Sequence, residues 1–590
     1  MRVLRFLLEH KLALLGVFVL LLLQAFCDLS LPQYTASIVD NVVQMAAVGA
    51  GGDSIAELVS LGVRMLAFAI GMLVCSVLIG LIASRTGAKI ARDLRERLFA
   101  NVMGFSSAEV DSFSAASLIT RGTNDIQQIQ FVCVMLQRVV LYAPILAVGG
   151  VIMVVRTNAS LGWIIALAIV ALLVVVMALM MFTMPKFKMM QKLVDQLNLV
   201  SREILTGLPV IRAFGREKHE EARFAKANED LMKTQLFTTR AMVMMTPAMS
   251  LIMNLLSVGI VWIGGHHIAQ GAMQTGDLIA FITYAMIIVM SFLMIGMVAM
   301  FLPRADVAAQ RVNEVISTTA SIADPGKPRD AELDTTKQGA TVTFDDVSFS
   351  YAQDSANVLD HVSFTAQAGK TTAIIGPTGC GKSTIIKLIE RFYDVTDGGV
   401  LIDGIDVRQM SQDKLRSLLG YSPQQAFLFG GTIASNVGYA DQEMGEDCMI
   451  RAIDVAQASE FVSTKEEGLQ TLIAQGGTNV SGGQRQRLSI ARALAADAQV
   501  YLFDDSFSAL DYKTDAKLRQ ELAKQMSGKT LIIVAQRIAT IMNADQIIVL
   551  DEGRIVGKGT HRQLMETCDE YVEIAASQLS KEELLKGGAA

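Results

Sequence analysis

Residues 157–185 form an unbroken run of 29 residues without an Asp, Glu, Lys or Arg. About 20 apolar residues are enough for a helix to cross the hydrocarbon of a bilayer. Part of this chain must therefore lie in lipid, where backbone polar groups are satisfied only inside helices or closed barrels. Composition agrees: 52% of the 590 residues are hydrophobic, 18% are charged, and the mean hydropathy is +0.42. Six candidate spans can be drawn, roughly 12–41, 57–84, 131–155, 157–185, 241–265 and 278–303. Asp28 interrupts the first and Arg138 lies within the third.

The loops set the orientation. Residues 41–63 and 266–277 hold no Lys or Arg, whereas 85–138 hold seven and 186–240 hold eleven. By the positive-inside rule the two long loops and both termini face the cytoplasm. The basic, amphipathic start of the chain, MRVLRFLLEHK, reads as a short interfacial helix leading into the first span rather than a cleaved signal. Helical periodicity continues out of the second span, so the long loops read as helices that leave the membrane. Turns near 108–118 and 206–216 are candidates for transmitting motion. Asp28, Arg64, Arg138 and Asn254 could line a substrate path or hold helices together. Of 31 methionines, many cluster at 177–190, 242–253 and 286–300; flexible thioethers suit either a cavity for varied apolar ligands or lipid-facing packing. The net charge of -6 gives no reason to expect nucleic acid as a partner. The cysteines, Cys27, Cys75, Cys133, Cys380, Cys448 and Cys568, form no close pair and read as free thiols rather than a zinc site.

A polar stretch with Pro325, Gly326 and Pro328, residues 318–340, reads as a linker between a membrane domain at 1–317 and a second domain at 341–577, followed by a short tail at 578–590. The second domain contains AIIGPTGCGKST, residues 373–384. Gly376, Pro377, Thr378, Gly379, Cys380, Gly381, Lys382, Ser383 and Thr384 make a phosphate-cradling loop between an apolar strand and a helix. Lys382 supplies charge at the terminal phosphates, and the Ser383 hydroxyl can ligate Mg²⁺. TVTFDDVSFSY alternates as a strand ending at Tyr351, whose ring could stack on adenine. Gln424 sits in a loop after a strand-like run and could ligate Mg²⁺. Ser481, Gly482, Gly483 and Gln484 stand directly before a helix and form an anion site. VYLFDD is a strand ending in Asp504, placed for the Mg²⁺ hydration shell, and Asp505. TLIIVAQR is another strand, with Gln536 at its end.

This combination resembles the ATP-binding cassette (ABC) family over nearly the whole chain, in the form of a half-size exporter. The resemblance implies a multidomain chain: an all-α, six-helix transmembrane domain followed by an α/β P-loop ATPase domain. It implies ATP and Mg²⁺ as cofactors, and a second ABC half-transporter as partner, each ATP lying between the P-loop of one subunit and the signature Ser481–Gln484 of the other. Tyr351 becomes the adenine platform, Gln424 the Q-loop residue, Asp504 the Walker B aspartate and 508–511 the D-loop; 108–118 and 206–216 become coupling helices.

Three positions depart from the family pattern. The residue after the Walker B aspartate is ordinarily glutamate and is here Asp505; the switch histidine is replaced by Gln536; the loop before the signature carries Gln475 instead of glutamate. Asp505 is one methylene short, and Gln536 can donate a hydrogen bond but carries no proton to exchange at neutral pH. The expectation is one subunit of a heterodimer, with a slow site of its own and an intact signature serving a non-identical partner that has glutamate and histidine. Other readings are a homodimer, an ATP-gated regulatory subunit, and an exporter-fold importer of a metal chelate. A small apolar or amphipathic substrate and the inner (plasma) membrane of a bacterium complete the expectation.

Overall fold

The computed structural model describes residues 2–48, 52–334, 336–352, 355–441 and 443–578. The chain forms two compact units, Met1–Val102 with Ala116–Thr318, and Met103–Ala115 with Thr319–Ala590. Of the expected tail, 578–590, only Gln578 lies within the described residues.

The first unit is helical. A short helix α1 (Arg2–Leu8) precedes α2 (Lys11–Val48) and α3 (Gly52–Met103). Between α3 and the third span stand α4 (Ser107–Phe113) and α5 (Ala115–Thr120), the former belonging to the second unit. The third span is α6 (Ile126–Met135) and α7 (Tyr142–Asn158). It is followed by α8 (Gly162–Ala213), α9 (Glu217–Val243), α10 (Met245–Ala269) and α11 (Thr275–Ser317). Among the described residues, six helical segments are long and apolar enough to cross a membrane. At 1.5 Å per residue the 52-residue α3 and α8 are each about 78 Å long, far more than the about 30 Å of hydrocarbon. The long basic loops are thus helices continuing out of the lipid.

Several boundaries differ from the sequence expectation. The third and fourth spans meet at a 3₁₀ turn, Ala159–Leu161, not at residue 156. Arg156 lies in the last turn of α7, where a cation suits the exposed carbonyls, so it marks the end of a helix rather than a connection. Residues 206–213 complete α8, and the reversal comes at 214–216, where Gly215 takes φ +61°. Two π-helical turns, Arg121–Asp125 and Leu136–Val140, had no sequence signal; the second contains Arg138. The apolar core runs along α2, α7, α8, α10 and α11, with Leu21, Leu161, Ile260, Phe281 and Ile288 almost fully buried.

The second unit is built on a six-stranded sheet in the order β12-β11-β3-β10-β9-β6: β3 (Thr371–Ile375), β6 (Leu419–Ser422), β9 (Val500–Asp504), β10 (Thr530–Val534), β11 (Gln546–Asp551) and β12 (Arg554–Gly559). Only β12 runs antiparallel. The parallel strands are continuous apolar runs because both faces are covered. Ala373, Phe503, Ile533 and Val549 face one core; Ile374, Leu502, Ile532 and Ile548 face the other. A second sheet, β2-β1-β4-β5, comprises β1 (Val342–Phe349), β2 (Leu359–Ala366), β4 (Asp397–Ile402) and β5 (Ile405–Asp406). A short pair joins β7 (Gly431–Thr432) to β8 (Leu472–Ile473).

The helix α4 packs within this second unit. The Glu109 carboxylate accepts the N–H of Ser106 at 2.9 Å and of Ser321 at 3.1 Å, and the Tyr393 hydroxyl donates to Asp111 at 2.8 Å. All six cysteines are free thiols.

Candidate active site

In an open parallel sheet, loops leaving the carboxyl ends of the strands converge on one crevice. Here the P-loop follows β3, Gln424 follows β6, Asp505 follows β9 and Gln536 follows β10. A cavity of about 280 Å³ lies there, lined by Thr378, Gly379, Gly381, Lys382, Ser383, Thr384, Gln424, Asp504, Asp505 and Gln536, with Tyr351 at its edge.

The P-loop wraps its own lysine. Lys382 opens α12 (Lys382–Ile389), and its Nζ donates to the carbonyls of Gly376 at 2.8 Å and Pro377 at 2.6 Å. A phosphate chain would exchange those carbonyls for its own oxygens. Gly381, the N-cap of α12, takes φ +101°, and a Cβ there would stand 2.6 Å from the Leu359 side chain. Glycine is required for that turn. The loop N–H groups and the start of α12 then face one point, an arrangement that suits anionic phosphates.

Beside the loop, the Ser383 hydroxyl donates to Asp504 at 2.8 Å. Asp504 is buried, and burial holds its carboxyl above the usual range, partly offset by that hydrogen bond. A hydroxyl, a carboxylate and the Gln424 amide lining one cavity form the hard oxygen set that Mg²⁺ prefers.

The two unusual residues meet. Gln536 Nε2 donates to Asp505 Oδ2 at 3.0 Å. Asp505 lies one residue beyond β9, not within it as the sequence suggested, and takes φ +48°. Its backbone N–H donates to the Val534 carbonyl at 2.9 Å, and its carbonyl accepts from the Ser508 hydroxyl at 2.8 Å. Burial raises the Asp505 carboxyl above its ordinary value; the positive charges of Lys382 and Arg537 pull it back.

Tyr351 also stands beyond its strand, which ends at Phe349. Its ring packs edge-on against Phe349 and Tyr393, with centroids 4.9 and 5.1 Å away, and its hydroxyl is 3.0 Å from Thr384 Oγ1. Lys387 Nζ lies 5.5 Å from the ring centroid. Sequence reasoning missed Lys387 and Tyr393; both fall within eleven residues of Lys382, where the helix and its exit return beside the loop.

Ser481, Gly482, Gly483 and Gln484 are not part of this cavity. Ser481 caps the helix Gly482–Ala495, receiving the Gln484 N–H at 3.3 Å while Gln484 Oε1 accepts the Ser481 N–H at 3.0 Å. Ser481 and Gly482 are exposed. Gln475 opens a 3₁₀ turn just ahead, Gln475–Gly477.

Such a nucleotide-binding unit joined to six spans defines an ATP-driven transporter. Residues 14–292 match the ABC transporter transmembrane region, and residues 359–508 match the ABC transporter ATPase domain. The chain is 43% identical over 560 residues, 94% of each chain, to an uncharacterised ABC transporter ATP-binding protein of Mycobacterium tuberculosis. It is 31% identical to an ATP-dependent lipid A-core flippase of Syntrophus aciditrophicus, over 86% of this chain and 84% of the relative. A solved structure of a bacterial Atm1-family ABC exporter with ATP bound superposes with a TM-score of 0.77 at 27% identity, covering 97% of this chain and 99% of the other. The chain belongs to the ABC transporter family. It is a half-size exporter that hydrolyses ATP, works as a dimer in the inner membrane, and carries its ATPase unit on the cytoplasmic side.

Proposed function

We propose that this chain is the slow-site subunit of a heterodimeric exporter of a small apolar or amphipathic substrate. The hydrogen bond between Asp505 and Gln536 carries the proposal. The acid that should polarise the attacking water is a methylene short, and one of its oxygens is engaged by a neutral amide. An error of about 1 Å in the placement of a catalytic group costs about 10²-fold. The amide can neither take up nor release a proton.

The remaining roles follow the geometry. Tyr351 supports the adenine, residues 376–384 cradle the phosphates, and Lys382 neutralises their charge. Ser383, Gln424 and Asp504 would hold Mg²⁺, which screens the phosphate oxygens when bound. Asp505 and Gln536 occupy the catalytic positions but turn over slowly. The exposed Ser481–Gln484 cap is free to complete the site of a non-identical partner that carries glutamate and histidine. Alternating closure of the ATPase units and the spans then exports the substrate. The lipid A-core flippase among the relatives keeps amphipathic lipids within the substrate class.

The test is ATPase activity of the purified chain alone and co-purified with a candidate partner. The chain alone should be nearly silent. Activity should appear with the partner and disappear with Ser481→Arg. Robust turnover by a stable dimer of this chain alone would overturn the proposal.

A further inference from the structure

Well inside its apolar stretch, the first span carries a carboxylate that has no ion-pair partner among the described residues. Asp28 lies on α2, next to Cys27, whose sulfur is 3.4 Å from where a Cβ on Gly71 would stand. Gly71 lies near the centre of the uncharged stretch 65–84 of α3, which sets the depth of Asp28. Among the described residues Asp28 makes no ion pair. Its hydrogen-bond partner is neutral: the Tyr142 hydroxyl of α7 donates to Oδ2 at 3.0 Å.

A second observation concentrates negative potential at this point. Pro32 lies inside α2, four residues after Asp28. Proline has no N–H, so the Asp28 carbonyl loses its helical donor. The next carbonyl, of Leu29, is taken by the Tyr284 hydroxyl of α11 at 2.9 Å. Helix packing is close there, since a Cβ on Gly149 of α7 would stand 2.3 Å from Leu29 Cδ1. The Asp28 carboxylate and freed carbonyl thus sit at the edge of a tight junction of α2, α7 and α11. Asp28 itself is only half-buried. A carboxylate at this depth is costly unless something positive meets it, and a proline inside a continuous membrane helix leaves one backbone oxygen beside it without its usual donor.

We propose that Asp28, with its own carbonyl and Tyr142, is the cation-recognising point of a substrate site, and that the exported substrates include lipophilic cations. This deepens the exporter reading and rests on it. Tyr142 orients the carboxylate; the apolar walls of the bundle accept the body of the substrate. The class is an organic cation with apolar bulk around its charge.

The test uses the full-length protein, in the dimer in which it purifies, in nanodiscs without nucleotide. The probes are labelled tetraphenylphosphonium and its near-isosteric anion, tetraphenylborate. Saturable binding of the cation is expected, with no competition from the anion. A charge-assisted contact in a dry site contributes enough that Asp28→Asn should weaken binding roughly tenfold or more, while Asp28→Glu stays within about threefold. A second measurement needs no variant. Tetraphenylphosphonium should protect Asp28 of the unaltered protein from dicyclohexylcarbodiimide, read by mass spectrometry, and tetraphenylborate should not. Absent saturable binding, equal binding by Asp28→Asn, or equal protection by both ions would overturn the proposal. Because no nucleotide is present, these failures leave the ATPase asymmetry standing, and symmetric ATPase sites would leave Asp28 standing.

Discussion

Lengthening one side chain should wake the slow site, provided the fast one is first silenced. On the proposed asymmetric heterodimer, most turnover would come from the partner's P-loop closed by Ser481–Gln484 of this chain. Ser481→Arg places a bulky cation on the exposed N-cap and removes the hydroxyl that receives the Gln484 N–H. What remains is turnover at Asp505. Asp505→Glu on that background adds one methylene, about 1.5 Å of reach, from an unchanged backbone. Asp505 is only 8% exposed, and Gln536 already holds its Oδ2 at 3.0 Å, so the longer acid must slide past the amide toward the phosphates. If a misplacement of about 1 Å costs about 10²-fold, the recovery should approach about 100-fold, with Gln536→His adding to it. Phosphate release from the purified heterodimer, at saturating ATP, measures each step. No gain from Asp505→Glu on the Ser481→Arg background would refute the reasoning, as would a Ser481→Arg complex as active as the parent.

Three further outcomes follow from the geometry. Gly381→Ala forces a Cβ to 2.6 Å from Leu359 and 3.0 Å from the Val358 carbonyl at φ +101°, a strain of about 1–3 kcal/mol, so photolabelling of this chain by an ATP analogue should fall roughly tenfold. Tyr393→Phe removes the bond to Asp111 on α4, a loss of about 0.5–1.5 kcal/mol, while its ring stays beside Tyr351. Basal ATPase should persist and its stimulation by transported substrate should drop; unchanged stimulation would count against a role for this contact. His561 is buried with its Nδ1 2.7 Å from the Tyr571 hydroxyl, and burial lowers its pKa from 6.5. The folded state therefore favours neutral imidazole: its contribution is complete above pH 6.5 and is lost as pH falls toward the depressed value. Thermal unfolding should shift downward between neutral and mildly acid pH, and His561→Gln should flatten that shift.

Hydropathy and charge were enough to find the spans, because a bilayer demands long apolar helices and leaves a basic excess on one side. The joints between spans were harder to see. Thr157 and Asn158 are as compatible with the end of α7 as with the start of α8, and only packing places the turn at Ala159–Leu161. Pro185 and Pro209 both lie inside α8, so proline did not mark a boundary. In the second unit, the P-loop and the strands before it carry strong local signals, glycine spacing and continuous apolar runs. The positions of Tyr351 and Asp505 just past their strands were not legible: the alternation of the first strand runs on through Tyr351, and the second acid of VYLFDD follows the first with no break signal between them. Long-range partners were invisible for a simpler reason: Asp111 and Tyr393 are 282 residues apart, and Asp505 and Gln536 are 31. The identities of Asp505 and Gln536 could be read, but their mutual hydrogen bond required the parallel pairing of β9 with β10.

The asymmetry itself is tested most directly by asking which chain holds the product. The heterodimer would be trapped with vanadate during turnover of a photoreactive, doubly labelled ATP, crosslinked, and separated into its two subunits. The account predicts ADP on the partner's P-loop and intact ATP on residues 376–384 of this chain. ADP trapped equally on both chains, or mainly on this one, would contradict it.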